Sequence, residues 1–501
     1  MGAADKILRA FVVNNDWPNV KSNAKFYYDM EGLGNAKFKR EVFLLYQKAS
    51  FQVIIDDFEK DKDMAKAADR YMAYYDEFKV DELKLTAEES KDKLAVLSKA
   101  LNNSAYYYKE TGQIARSTEV RHILVEYEMF GENASKLEKG WNYYYQQIAL
   151  LGFDYETIAD FDKAAFYYEK MFALYPSEKT RIAKLDGGKE YVEKMPEAAA
   201  DAIYSAAVFR KALGEYDKAI ENYTKFLTDF PEDKRAHDVR LTIGKVYEDQ
   251  DNWTKAANQY QAFYKETGKS AEPQFTYFAR LQHAKALEKL GDDKGAKRVY
   301  EDTVKLYKKE FPDGDKGPQT EYVAEMMYIL AQPKTEAFMA MKITSIGKGR
   351  GRKAEDRHQK KQLASKFEKL KEMALEYSKI IETGSGPCGL ASLVQLGKLQ
   401  ENVAQTLLTG ELPYYLDADQ AEYYKMGMQD MAYPKTEDAV NWYTQAVNKA
   451  YELTLYNEHT AFAVRRLGEL RPDDYPGLEE DIPEGRYTAS KSRNYEFEKE
   501  L

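Results

Sequence analysis

Gly214–Pro231 reads GEYDKAIENYTKFLTDFP, and Gln250–Gly268 reads QDNWTKAANQYQAFYKETG. Both carry an aromatic–x–Lys–Ala run next to acidic residues, a Tyr four residues after that Ala, and a Phe three further on. A third copy, GDDKGAKRVYEDTVKLYKKEFP (Gly291–Pro312), keeps the Gly, the acidic pair, Ala296 and Tyr300. Self-similarity at this period predicts stacked helix–turn–helix units, each too small to bury its apolar face alone.

Crowding between two antiparallel helices explains the pattern. Ala219, Ala256 and Ala296 fall where the second helix of each unit passes closest to the first. Tyr223, Tyr260 and Tyr300 lie one turn on, on the same face. In the middle copy the first helix supplies Ile243, Gly244 and Tyr247, with Gly244 allowing close backbone approach. Pro231 and Pro312 stop the second helix. This small–aromatic–Pro pattern resembles the tetratricopeptide repeat (TPR). The resemblance implies an all-α fold, a right-handed superhelical solenoid of about ten helix pairs.

Outward from these copies the pattern fades. Ile148, Leu151, Gly152 and Tyr155, followed by Ala164, Tyr168, Met171 and Pro176, form another unit. Its Ala lies 55 positions before Ala219, against later steps of 37 and 40, so Ser177–Pro196 is read as longer helix ends or a loop. Lys48–Phe78, with Ala67, Tyr71 and Tyr74, reads as a degenerate unit, and Lys93–Tyr108 with Gln113–Phe130 as another. DGDKGPQ (Asp313–Gln319) is the expected domain hinge. A helix over Glu321–Ile346 follows, which Pro333 should kink or split. A helix over Gln359–Glu382 then carries Leu363, Phe367, Leu370, Ala374, Tyr377 and Ile381 as a heptad seam. GSGPCG (Gly384–Gly389) reads as a loop, and helices are expected over Ala391–Leu408 and Asp419–Met431. A last repeat-like unit pairs Met426 and Gly427 with Ala439, Tyr443 and Ala446, and RRLGELRP closes the array. The expected domains are 1–135 (degenerate repeats), 136–313 (core repeats), 314–471 (C-terminal repeat-like) and 472–501 (a polar, Pro-containing tail).

Composition narrows the function classes. A net charge of −10 from 84 acids and 74 bases argues against a dedicated nucleic-acid binder. The 41 tyrosines either fill helix seams with the hydroxyl at the rim or line a peptide-binding face. No stretch approaches the roughly 18 apolar residues of a membrane span. The N-terminal MGAADKILRAFVVNNDW lacks the pattern of a secretory signal. His122, His237, His283, His358 and His459 are scattered without metal-ligand spacing, so no metal or cofactor is expected. Cys388 is placed just before a helix, whose dipole would favour thiolate, but no His lies near it in sequence. No enzymatic activity is therefore expected.

Two binding surfaces are expected. By repeat register the concave face presents Asp201, Tyr204 and Lys211; Asp238, Leu241, Lys245 and Glu248; and Phe278, Leu281, Lys285 and Glu288. Repeats that clamp C-terminal carboxylates place Lys and Asn on successive turns. Here Tyr204, Val208, Leu241 and Lys245 stand there, which does not support that specificity. Lys245 and Lys285 either form a basic ladder or pair with Glu248 and Glu288, three residues on; pairing is the favoured reading. The second surface is GKGRGRKAEDRHQKK, where Lys348, Arg350, Arg352, Lys353, Arg357, Lys360 and Lys361 stand against Glu355 and Asp356. It is read as a solvated loop or as a patch for an anionic partner.

The Tyr-rich, Asp-Lys-Ala style and YP helix endings resemble bacterial cell-envelope TPR proteins, of the outer-membrane assembly or delta-proteobacterial gliding-motility type. That resemblance implies a non-catalytic periplasmic adaptor that binds proteins or peptide segments in its groove. The alternative is a cytoplasmic scaffold or regulator whose basic loop touches nucleic acid or an anionic surface. The acidic tail Asp473–Glu500 is a competing occupant of the groove.

Overall fold

The computed structural model describes residues 2–80, 84–126, 143–184, 188–268, 270–312, 314 and 317–476. Among them the regular secondary structure is entirely helical, in two compact units, 1–252 and 253–501. The first holds α1 (Gly2–Val13), α2 (Trp17–Asp29), α3 (Ala36–Asp61), α4 (Met64–Phe78), α5 (Ala87–Glu110), α6 (Ile114–Glu126), α7 (Tyr143–Thr157), α8 (Phe161–Ile182), α9 (Gly188–Ala212), α10 (Tyr216–Asp229) and α11 (Ala236–Asp249). The second holds α12 (Trp253–Glu266), α13 (Pro273–Lys289), α14 (Asp293–Glu310), α15 (Gln319–Met339), α16 (Arg352–Glu382), α17 (Gly386–Thr409), α18 (Ala418–Glu452) and α19 (Glu458–Leu470). Within each unit consecutive helices joined by short turns pack side by side, as TPR-like pairs do.

One register recurs through the array. A left-handed residue (Lys62, Gly112, Ala159, Gly214, Asp251, Gly291) ends the turn into the second helix of a pair, at φ between 52° and 78°. Five residues later comes a fully buried small residue: Ala67, Ser117, Ala164, Ala219, Ala256 or Ala296. Four further on, Tyr71, Tyr223, Tyr260 and Tyr300 are buried, and Tyr168 is half-buried. The facing small residue lies twelve before the buried Ala: Gly152, Ala207 and Ala284 are all buried. A Cβ on Gly152 would stand 2.7 Å from Cδ1 of Tyr168, so the ring occupies the space of the missing side chain.

The α5–α6 pair keeps the geometry and changes the chemistry. Ser117 replaces the Ala and donates to the Ala105 carbonyl at 2.9 Å, and Arg121 replaces the Tyr. Arg121 and Asp154 of α7 are both essentially unexposed and pair at 2.7 Å. Gln147 accepts from Arg121 at 2.5 Å and donates to Asn102 at 2.8 Å, while Ser117 donates to Asp154 at 3.1 Å.

Several boundaries differ from expectation, each for a packing reason. The hinge at 313–319 does not part the units. One core joins Tyr277, Ala296, Tyr300 and Tyr307 to Val323 and Met326 of α15, on its far side. Residues 313, 315 and 316 themselves lie outside the described residues. Pro231 and Pro312 do follow helix ends, but Pro176, Pro196, Pro333 and Pro434 lie inside α8, α9, α15 and α18. A proline inside a helix costs about 3 kcal/mol or more. In α18 a buried stripe of Met428, Ala432, Ala439 and Tyr443 runs on both sides of Pro434 and offsets it. Met426 and Gly427 are therefore not a separate first helix. The partner of Tyr443 is Gly397 of α17, where a Cβ would meet Cε1 of that ring at 2.4 Å. The helix expected from Gln359 begins at Arg352, and the seam of Leu370 and Tyr377 packs in a core with α15 and α17. The helix expected through Ile346 ends at Met339, and α17 begins at Gly386, inside the expected loop.

Gly397→Val should cost unit 2 about 1–3 kcal/mol by overpacking. The Tyr443 ring is fully buried and its hydroxyl is tied to Glu401 at 2.9 Å, so it has nowhere to retreat. A thermal melt with an unchanged midpoint would show that this register is wrong.

Candidate functional site

Taken from the residues upward, the first-helix faces are partly consumed by packing. Leu241 and Leu281, expected exposed, are each 2% exposed and belong to the core. Apolar side chains at that register turn inward against the next helix. Tyr204 of α9 is half-buried, edge-on to Tyr223 at 6.1 Å and tilted against Phe226 at 5.9 Å. The Arg235 guanidinium lies over it at 5.0 Å, chelated by Asp233 and bonded to Asp201 at 2.7 Å. Phe278 of α13 is half-buried between Tyr260 and Tyr322, at 6.3 and 5.4 Å. Each aromatic thus presents one edge and anchors the fold with the rest.

Two of the lysines pair between first helices and not along one. Lys285 reaches Glu325 of α15 at 2.6 Å, instead of Glu288, and Lys211 reaches Asp249 of α11 at 3.1 Å. Helix-to-helix distance sets the choice, since equivalent positions of adjacent repeats come side by side. Glu288 stays exposed, its charge helping to raise the buried Tyr300 phenol. Asp238 is exposed as expected, while Lys245 and Glu248 are half-buried and both have partners. Sequence register missed Arg235, because it lies in the turn before α11 and outside the repeat pattern.

All seven residues of the basic segment, Lys348, Arg350, Arg352, Lys353, Arg357, Lys360 and Lys361, are exposed. Gly347, Gly349 and Gly351 all take left-handed φ, at 74°, 105° and 83°, which shapes the loop before α16. The two acids set against it by composition are diverted. Glu355 is fully buried, accepting the Ile346 N–H at 2.9 Å and the Gln359 amide at 3.0 Å, and Asp356 accepts from Tyr415. Glu355 is thus withdrawn from the exposed surface of the patch, while Asp356 stays exposed beside it.

Beside it, residues 341–346 run without helix between α16 and the end of α17. Thr344 is clamped to Gln362 by a 3.0 Å and a 2.9 Å hydrogen bond, and Glu411 N–H donates to the Ile343 carbonyl at 3.0 Å. Clefts of about 450 and 400 Å³ flank this segment. Under it Lys366, 2% exposed, donates to the carbonyls of Phe338 and Met341 at 2.9 and 3.1 Å and to Asn402 at 2.5 Å. Burial pushes its ammonium down to about 8.

The thiol of Cys388 lies within the first turn of α17, half-buried against the core. Burial pushes it up, outweighing the Ser385 hydrogen bond and opposing the lowering that a helix dipole would give, in keeping with a half-buried thiol. His283 is buried beside Tyr264 at 3.0 Å and pushed down to about 4 by desolvation, Lys265 and Arg280, while His122 sits 2.7 Å from the Tyr155 hydroxyl. These are packing roles. Among the described residues no helix is long and apolar enough to cross a membrane. Of the tail 472–501, Tyr475 bonds Thr444 at 2.9 Å, and residues 477–501 lie outside the described residues.

No curated protein matches the chain significantly. Similar solved structures include the apo form of RapI, at 12% identity over 88% of this chain and 99% of that one, with a TM-score of 0.29. A tetratricopeptide repeat protein from Parabacteroides merdae ATCC 43184 matches at 14% identity over 74% and 98%, with a TM-score of 0.24. A Rap protein complexed with competence and sporulation factor matches at 13% over 84% and 97%, with a TM-score of 0.23. At such TM-scores the fold assignment rests on this chain's own helix pairing and on the repeat family. The tetratricopeptide repeat family model matches residues 201–233 and 278–309, which span the α9–α10 and α13–α14 pairs. The chain thus carries two segments that match the tetratricopeptide repeat, with the seam written by Ala219 and Tyr223 in one and by Ala296 and Tyr300 in the other.

Proposed function

We propose that the chain is a non-catalytic protein–protein interaction scaffold, an adaptor in a bacterial envelope assembly of the motility or outer-membrane type. The observation that carries the scaffold reading is the division of labour along the first helices. Small and aliphatic residues go to the seam, leaving in unit 1 Asp201, the edge of Tyr204 and Lys211 on α9, and in unit 2 the edge of Phe278, Lys285 and Glu288 on α13, each set taken by itself as a face for a protein or peptide segment. Aromatic anchors rimmed by charge are the arrangement that binds peptides in such faces. The envelope placement is supported by the resemblance in sequence texture alone.

Charge reversal tests the face without dismantling the fold. Lys211→Glu and Lys285→Glu each break a partly exposed ion pair worth about 0–1 kcal/mol. A bound acidic segment would then meet a like charge, which weakens binding by at least about tenfold. Each variant should lose the partners crosslinked to its own unit's face in the native host while helix content and melting stay near wild type. Capture that survives both reversals removes the first-helix face from consideration. Cell fractionation tests the placement: recovery with the cytosol would favour the alternative, a cytoplasmic scaffold using its exposed basic segment on nucleic acid or another anionic surface.

A further inference from the structure

The cleft of about 400 Å³ between residues 341–343 and α16 is lined by four basic side chains, Lys342, His358, Lys361 and Lys366, and by no carboxylate. In a chain with ten more acids than bases this is an unusual composition for a concave surface. Lys342 and Lys361 are exposed and come from its two walls, one from the extended segment and one from the helix. Neither makes an ion pair among the described residues.

Lys366 provides a second, independent observation. Its three protons are taken by two carbonyls and an amide oxygen, all neutral, so its charge is buried without a counter-ion. A buried cation left uncompensated is costly, and an anion entering from the cleft would relieve that cost through space. The walls are pre-set to receive one. The Thr344–Gln362 clamp fixes the segment to the helix, and His358 lies 3.5 Å from the Thr344 hydroxyl. Ser365, exposed at the same wall, adds a hydroxyl donor.

We propose that this cleft is a phosphate-binding site, taking a phosphomonoester between Lys342 and Lys361 above the buried charge of Lys366. The site goes beyond the scaffold reading and does not rest on it. A phosphomonoester carries close to two charges and three acceptor oxygens, which suits two ammonium groups and a hydroxyl better than a single carboxylate would. The same chemistry is offered by a phosphorylated side chain and by a phosphoinositide headgroup.

The test uses the full chain and inorganic phosphate as probe, titrated against chloride at equal ionic strength, with calorimetry and melting as readouts. Phosphate should bind and raise the melting temperature. The double variant Lys342→Ala, Lys361→Ala should weaken binding by at least about tenfold, since hydrogen bonds to charged groups are the strong ones. Both lysines are exposed, so circular dichroism should show the variant folded. Lys371→Ala, an exposed lysine on α16 outside the cleft, should change nothing. No response to phosphate, or an equal response in the double variant, overturns the proposal. A phosphoserine peptide and phosphatidylcholine vesicles doped with phosphatidylinositol monophosphate then distinguish the sources. Binding of either that vanishes in the double variant supports the site and identifies what carries the phosphate.

Discussion

Asp154→Ala destabilises the α5–α7 region by about 3–5 kcal/mol, the cost of leaving a buried guanidinium without its carboxylate. Arg121 is 2% exposed, and its Nε lies 2.7 Å from Asp154. Burial pulls the guanidinium down from its usual range and Asp154 pulls it back, so it stays charged. Gln147 and Ser117 remain after the substitution, but Gln147 is neutral and Ser117 was bonded to the lost carboxylate. Lys109, 3.6 Å from Asp154, would lose its partner too. Removing both charges with Arg121→Met and Asp154→Leu should recover most of the loss, because hydrophobic replacement of a buried pair is often neutral or better. Repeat arrays open region by region, so the readout is hydrogen exchange of α6 and α7 amides alongside the melt. Wild-type exchange in Asp154→Ala would mean that the pair contributes nothing to holding these helices together.

That network also marks where the sequence stops being legible. The core units could be read because their seam chemistry repeats: Ala219 with Tyr223, Ala256 with Tyr260, Ala296 with Tyr300, all buried in the structure. The α5–α6 pair occupies the same register with Ser117 and Arg121, which no search for small–aromatic spacing would find. Turn geometry was hidden for a similar reason. Gly214 and Gly291 advertise a left-handed residue, but Lys62, Ala159 and Asp251 adopt it without glycine. Proline misled where tertiary packing overrode local preference, as in α18, whose buried stripe continues past Pro434. The basic segment was visible as a run of charge. Its cleft was not, because Lys342 and Lys366 come from the flanks and only folding sets the extended segment against α16.

Raising the pH should unfold the protein in a steep step between about pH 11 and 12, through its buried phenols. Burial is the leading cause that raises Tyr46, Tyr74, Tyr108, Tyr145, Tyr223, Tyr277, Tyr300, Tyr377 and Tyr443 above the ordinary value, with Tyr108 and Tyr377 reaching about 12 and the others beyond. Carboxylates add to it: Tyr108 donates to Asp69 and Tyr277 to Glu310, both at 2.7 Å, so ionisation would set two negative charges together. All nine rings are under 5% exposed. A raised folded-state value means that the stability is fully present below the unfolded value near 10 and is lost as pH rises toward the folded values. At pH 11 each such phenol costs the native state about 1.4 kcal/mol, so the five in unit 1 together remove about 7 kcal/mol, comparable to the 5–15 kcal/mol that holds a domain. Lys366 works in the opposite sense. Its depressed value makes stability rise between about 8 and the unfolded lysine value, but one group cannot offset nine, and it adds nothing above that value. Tyrosinate absorbance and helical ellipticity followed together should therefore change in one coincident transition. If these phenols all ionise near pH 10 while the helices persist, the tyrosines are not the seam residues that this structure makes them.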